Sequence, residues 1–182
     1  MHAVVETTRY GQLGAAEVTE LPYKSAKAGP QLSMLIILPK ERTGIAQVQK
    51  ELDQRGFSAY ADALSGAYRL VISLPRFKAT MRVRLKPALA KLGMPLAFAS
   101  GADFSGMFAS DRGYRIDEVY HQAFVKTDEA GTEAAAATGI VIRETARWRV
   151  KNLRVDHSFL IAIRDARSGA ILFAGRIDNP AG

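Results

Sequence analysis

Residue types that commonly build chemical sites are scarce in this sequence. It contains 182 residues without a cysteine, and its three histidines are His2, His121 and His157. The absence of cysteine excludes disulfides, thiol nucleophiles and thiolate metal ligands, and it leaves the redox compartment undecided. The histidine spacing brings no two imidazoles onto one metal ion. The sequence also lacks a glycine-rich phosphate loop and a nucleophile elbow. We therefore expect no metal, no cofactor and no enzymatic activity.

Long apolar runs are missing as well. No stretch approaches the roughly 20 apolar residues of a membrane-spanning helix, and we expect no membrane partner. The first residues, Met1 to Glu6, lack the basic start and apolar run of a secretory signal, so any export signal would lie upstream. A hydrophobic content of 48% nevertheless lets a chain of this length bury a core as one domain.

The formal net charge of +7 would permit attraction to polyanions such as nucleic acids or sulfated glycans. The basic residues between positions 76 and 84, however, alternate with apolar ones. The basic set is Arg76, Lys78, Arg82 and Arg84, and the apolar set is Phe77, Ala79, Met81 and Val83. This alternation is typical of a half-buried strand that keeps one face in water. We therefore predict a solvated strand face here and no nucleic-acid partner.

The order of apolar and turn-forming residues predicts an α+β fold composed mostly of strands. Strands are predicted over 3–10, 14–22, 32–39, 114–126, 157–164 and 170–177, and an extended segment over 68–85 is divided by Pro75. Helices are predicted from Thr43, a candidate cap, to Gly56, and over the short ranges 57–64 and 86–92. Asp103 is predicted to turn a loop over 101–106, and residues 165–169 to form a hairpin turn. The segment 143–154 is polar and arginine-bearing, and strand signals resume only after it.

One segment, residues 128–138, has an unusual composition. Two interpretations remain open from its residues alone. Four consecutive alanines after acidic residues suit a helix. Residues 133–138 are too few for a stable isolated helix and carry no apolar stripe, however. At the strand period of two, one face holds only small side chains, and Gly131 offers a hinge. The members of that face are Thr132, Ala134, Ala136 and Thr138.

The same segment resembles the hinge of the reactive-centre loop of inhibitory serpins. The residues that carry the likeness are Glu129, Gly131, Thr132, Ala134, Ala135, Ala136, Ala137 and Thr138. Further serpin-like motifs follow the family order over nearly all of the chain: 74–77, 101–106, the strand with His121, and 171–176 continuing to Asn179 and Pro180. The chain is identified as a member of the serpin family, of a bacterial-type or otherwise cysteine-free kind.

The resemblance implies a partial serpin fold, with antiparallel and mixed sheets, a few short helices and an exposed loop. Residues 1–182 would form a single serpin domain that represents its C-terminal portion, with the hinge and reactive-centre loop over 127–155. The family further suggests an extracellular or periplasmic protein. The N-terminal half would be missing, and it could be supplied in trans.

Inhibitory serpins are suicide substrates, so the resemblance implies a serine protease as the partner. Counting forward from Glu129 places the cleaved bond at Thr145-Ala146, whereas counting back from Phe159 places it at Arg147-Trp148. We favour Thr145, because the forward distance sets how much strand can insert. Thr145 would suit an elastase-like or subtilisin-like protease, and Arg143 or Arg147 a trypsin-like one. The alternative function is a non-inhibitory fragment or interaction module that proteases only cleave. An unrelated binding domain with an alanine linker is a third hypothesis.

Two residues outside the loop receive structural roles. The resemblance pairs Glu129 with Arg76 where the loop enters the main sheet. His121 shares a predicted strand face with Val119, Ala123 and Val125, which predicts a core histidine satisfied by a hydrogen bond. In serpins the matching histidine belongs to a polar cluster beneath the main sheet.

Overall fold

The computed structural model describes residues 2–23, 29–108, 113–127 and 149–180, with side chains from Thr8 onward. The strands are β1 His2–Leu13, β2 Ala16–Pro22, β3 Leu32–Pro39, β4 Ser65–Ser73, β5 Phe77–Arg84, β6 Tyr120–Thr127, β7 Arg149–Arg154, β8 Phe159–Asp165 and β9 Ile171–Ile177. The helices are α1 Ile45–Asp62, α2 Lys86–Lys91 and a 3-10 turn at Leu96–Phe98. Two compact units are present, Met1–Phe77 with Thr127–Gly182 and, separately, Lys78–Lys126.

Seven strands of the first unit form one sheet in the order β7-β4-β1-β2-β3-β8-β9. Neighbouring strands are antiparallel except β4 and β7, which run parallel. The apolar run of β3 lies in this sheet between β2 and β8, and seven of its eight residues are buried. The predicted buried strand over 32–39 is therefore confirmed, because a strand with apolar side chains on both faces requires cover on both faces.

Helix α1 covers one face of this sheet. Its Val48 and Tyr60 pack with alternate residues of three strands: Ala16, Val18, Leu35, Ile37, Leu160 and Ala162. Gly56 interrupts the helix with a φ of 73° and a ψ of 169°, so the predicted division into two helices is confirmed. The predicted cap is wrong. Gly44 occupies the N-cap position, and no side chain caps the helix there.

Pro75 separates two strands that belong to different sheets. β4 continues the large sheet, whereas β5 pairs with β6 in a two-stranded sheet, as a proline at a change of sheet predicts. The expected half-burial of β5 is wrong, because only Phe77 is buried and Met81 on the apolar face is 52% exposed. The alternating sequence therefore forms a strand without burying its second face.

The predicted strand over 114–126 begins only at Tyr120. The residues before it use their backbone groups elsewhere, since Ile116 N donates to Ala97 O at 2.9 Å and Val119 O accepts from Leu85 N at 2.8 Å. These bonds hold the segment against the α2 region instead of in a ladder.

Residues 149–154 differ from the sequence interpretation, which placed strand signals only after Arg154. They form β7, which pairs with β4 from Tyr68↔Arg149 to Ser73↔Arg154. The predicted hairpin of β8 and β9 is confirmed, and Gly169 turns it with a φ of 76°. Asp165 Oδ1 accepts from Arg167 N at 3.1 Å in the same turn. Among the described residues, no helix combines the length and the apolar character needed to cross a bilayer.

Candidate functional site

The candidate reactive segment, residues 128–148, lies outside the described residues. It contains every predicted hinge and cleavage residue: Glu129, Gly131, Thr132, Ala134, Ala135, Ala136, Ala137, Thr138, Arg143, Thr145, Ala146 and Arg147. The described structure shows the strand at each end of it, β6 before and β7 after. Apart from Thr127, β6 belongs to the unit Lys78–Lys126, and β7 belongs to the other unit.

The strand before the segment has an open edge. Within the described strands, β6 is paired on one side only, with β5. An unpaired strand edge presents backbone N–H and C=O groups that can accept a further strand. The chain passes from this edge strand directly into the small-residue segment.

The two structural residues of the sequence analysis both have exposed side chains. His121 lies on β6, and its side chain is exposed among the described residues. β6 pairs with β5 in a sheet of two described strands, and the core role expected for His121 stays a prediction. Arg76 lies in the connection between β4 and β5, and the proposed pairing with Glu129 falls outside the described residues.

The strand after the segment is held by a cross-sheet cluster. Lys151 on β7 donates to Glu17 Oε1 at 2.6 Å, and its Nζ lies 4.6 Å from the centroid of the Tyr10 ring. Tyr10 Oη donates to the same Glu17 oxygen at 2.5 Å. Gln12 Nε2 donates in turn to Tyr10 Oη at 2.9 Å. One ammonium therefore ties the edge strand to β1 and β2, across β4.

The pKa values of Glu17 and Lys151 are both shifted in the direction that favours their charged forms. Burial by itself raises the pKa of Glu17, but hydrogen bonds from Lys151 and Tyr10 and the charges of Lys151 and Lys40 outweigh it and leave the pKa lowered. Burial opposes the charge of Lys151 in the same way. Its bonds to Glu17 and Tyr10 prevail, and the pKa of Lys151 is raised. The charged forms are thus favoured on both sides.

A second cluster fixes the chain immediately beyond β7. Asp156 accepts from Arg42 Nη1 at 2.9 Å and lies 3.3 Å from Arg154 Nε. The ring of His157 lies between Asp156 Oδ1 and Pro39 O, with Nδ1 at 3.0 Å and Nε2 at 2.9 Å from them. The hydrogen bond from His157, followed by that from Arg42, lowers the pKa of Asp156.

These two clusters were not found from the sequence. Lys151 and Glu17 are 134 positions apart, so no local spacing signals that they meet. The adjacent pair Asp156 and His157 was visible, but its partners Arg42 and Pro39 come from the other end of the chain. The pairing of β7 with β4 brings Lys151 to Glu17, and this contact is visible only in the three-dimensional structure.

Comparison with known proteins places this fold in a family. A family model described as serpin (serine protease inhibitor) matches residues 1–180. An uncharacterized serpin-like protein of Methanosarcina acetivorans is 38% identical over 178 residues, covering 97% of this chain and 40% of the relative. Iripin-2 of Ixodes ricinus is 39% identical over 164 residues, covering 90% of this chain and 40% of the relative.

Solved structures agree. The thermophilic serpin tengpin in its native state matches with a TM-score of 0.77 at 27% identity, covering 98% of this chain and 45% of that one. Uncleaved ovalbumin matches with a TM-score of 0.73 at 25% identity, covering 97% and 43%. The chain thus spans about 40% of the length of the two sequence relatives. Its cysteine-free sequence forms a partial serpin fold, and the chain belongs to the serpin family.

Proposed function

We propose that this chain is the loop-bearing part of a serpin that inhibits serine proteases as a suicide substrate. The protease would cut the segment 128–148 and form an acyl-enzyme, and the freed part of the segment would add to the open edge of β6 as a new strand. The observation that carries the proposal is that β6 has an open edge among the described strands and leads directly into the small-residue hinge. Family membership supports a protease inhibitor in general.

Strand addition would supply the driving force. Each backbone hydrogen bond that forms contributes a net stabilisation of about 1 kcal/mol. A strand of about ten to fifteen residues would therefore gain on the order of 10 kcal/mol when it joins the sheet. The hinge residues suit this step, because alanine, threonine and glycine pass between strands without bulky side chains. Stored strain released by loop insertion is a known switching device in this fold family.

The cleaved bond is proposed to be Thr145-Ala146, with Arg143 and Arg147 as alternatives. Thr145 would select a protease with a small apolar pocket, elastase-like or subtilisin-like, and either arginine a trypsin-like one. The residues after the cleaved bond would remain attached to β7, whose Lys151 donates to Glu17 Oε1 at 2.6 Å. The part before the bond would then be free to move. Glu129 is proposed to pair with Arg76 during entry into the sheet, and a double-mutant cycle without coupling would exclude that pair.

The test is incubation with an elastase-like and a trypsin-like protease, followed by denaturing gels and mass spectrometry. A denaturant-stable adduct is expected, and the released peptide identifies the cleaved bond. Ala136→Pro should abolish the adduct while cleavage continues, because proline cannot donate to a strand ladder. Ala136→Ser is the matched control, since it keeps the backbone N–H and should keep the adduct. Equal adduct from both variants would exclude strand addition.

A second candidate function is supported by exposed apolar side chains on one face of β5. Met81 and Val83 lie on that face and are 52% and 37% exposed, and exposed apolar surfaces commonly mark association sites. We propose that in this case the chain is a non-inhibitory interaction module, cleaved only as a substrate until a complementary N-terminal half is supplied in trans. Cleavage between 140 and 149 without an adduct would favour this function.

A further inference from the structure

One face of the two-stranded sheet carries alternating cations and aromatic rings. Lys78 Nζ lies 5.6 Å from the centroid of Phe124, and Arg84 Cζ lies 6.0 Å from the centroid of Tyr120. Between them, Arg82 Nε donates to Gln122 Oε1 at 3.1 Å. These cross-strand contacts put the side chains of both strands on the same face. We call this set, Lys78, Arg82, Arg84, Tyr120, Gln122 and Phe124, the cationic face.

The charge of this face is unbalanced. Neither β5 nor β6 contains an aspartate or glutamate. Among the described residues, the carboxylate nearest to β6 in sequence is that of Glu118, which accepts from the backbone N–H groups of Lys86 and Val119 at 3.3 and 3.0 Å. The three cations follow β5 over about 20 Å, at about 3.3 Å for each residue. The face therefore presents a row of positive charge without an acidic neighbour on either strand.

The face is also accessible. All six of its side chains are exposed, and Tyr120 is 73% exposed. The opposite face of β5 is exposed as well, with Val83 at 37%. Exposed rings among cations are the composition that proteins use to bind unpaired bases and the phosphates that join them.

We propose that the cationic face binds single-stranded nucleic acid. Lys78, Arg82 and Arg84 would contact phosphates, and Tyr120 and Phe124 would stack against bases. A linear polyanion without bases would use only the cations, so the exposed rings favour a nucleic acid. This activity goes beyond the proposed inhibition, because none of its residues lies in the segment 128–148.

The test uses a fluorescently labelled oligothymidylate of about 12 nucleotides, within the range of site sizes for such surfaces. Anisotropy is measured with the full chain over a range of salt concentrations. Three phosphate contacts predict a slope of log K against log salt of about −2, at about −0.7 for each contact. Arg82→Gln with Arg84→Gln should reduce the slope to about −0.7. Arg82→Lys with Arg84→Lys should preserve it, which separates charge loss from misfolding.

A charge-matched control is available elsewhere. Lys50→Gln with Arg167→Gln removes the same two charges from exposed positions outside the face and should keep the slope near −2. Tyr120→Ala should weaken binding about 5-fold or more at constant slope, because only a stacked base is lost. The proposal is overturned if the slope of the control variant falls as far as that of the double glutamine variant, or if the chain does not bind the oligonucleotide at low salt. It is also overturned if heparin or a duplex of equal length binds at least as tightly as the oligonucleotide and Tyr120→Ala has no effect on binding.

Discussion

The ion pair that anchors β7 gives the sharpest stability prediction. We expect Lys151→Met to destabilise the fold by about 1.5–3 kcal/mol, the range for hydrogen bonds to charged groups. Glu17, whose side chain is only 19% exposed, would keep the hydroxyl of Tyr10 as a donor but lose its countercharge. Methionine retains most of the aliphatic stem over the Tyr10 ring, so the loss reports mainly on the charge. Urea unfolding measures the change from the midpoint at constant m-value.

A double-mutant cycle with Glu17→Gln isolates the pair. We expect a coupling of about 1–2 kcal/mol, because both side chains are mostly buried and share one short hydrogen bond. Arg149→Met is the matched control on the same strand. Its side chain is exposed, and the expected change is within about 0.5 kcal/mol. A coupling below about 0.3 kcal/mol would refute the argument that this bond anchors β7.

The pH dependence of the same pair follows from the two pKa shifts. The lowered pKa of Glu17 means that its stabilising contribution is present above its unfolded value of about 4.3 and is lost as pH falls through the lower folded value. The raised pKa of Lys151 means that its contribution is present below about 10.4 and is lost as pH rises through the higher folded value. The difference between wild type and Lys151→Met should therefore be flat from about pH 5 to 10 and shrink in acid. A difference that stays constant down to pH 2 would contradict this origin.

Three further substitutions test other parts of the sheet and the helix α1 that covers it. Glu20→Gln should cost about 3–5 kcal/mol by chemical denaturation, because it removes the countercharge, at 2.8 Å, of the buried guanidinium of Arg164. Gly11→Ala should cost about 1–3 kcal/mol in the same assay, because a Cβ there would lie 2.0 Å from the backbone oxygen of Ala63 and displace the end of α1. Tyr60→Phe should change stability by less than about 1 kcal/mol or improve it, because the buried Oη has no hydrogen-bond partner within the described part of the chain; a large loss would reveal a partner.

The elements that sequence predicts well are those whose signals are local. The kink of α1 follows from Gly56, and the burial of β3 follows from a run in which Ser33 is the one polar residue. The helix over 86–92 is recovered as α2 within one residue at its end. In each case the residues that specify the conformation lie within the element itself, so periodicity and turn chemistry are sufficient.

The elements that sequence misses depend on distant partners. β7 is polar because it is an edge strand, and its strand conformation comes from pairing with β4, about 80 residues earlier in the chain. His121 occupies the same kind of alternating pattern that a half-buried strand would show, yet alternation cannot say whether another layer covers the face. The bond between Lys151 and Glu17 could not be predicted either, because the two residues are 134 positions apart and meet only once β7 has paired with β4.

The pairing of β3 with β8 also has a consequence in time. β3 pairs with β2 on one side as soon as both emerge, but its other partner begins at Phe159. At roughly 5–20 residues per second, the intervening chain of about 120 residues takes about 6–24 s to synthesise. During that interval β3, the most apolar strand of the sheet, has an unpaired edge, and an unpaired edge is a template for pairing with another chain. The order of strands along the chain therefore sets the length of time for which the edge of β3 stays unpaired during synthesis, a property that the contacts of the folded chain do not show.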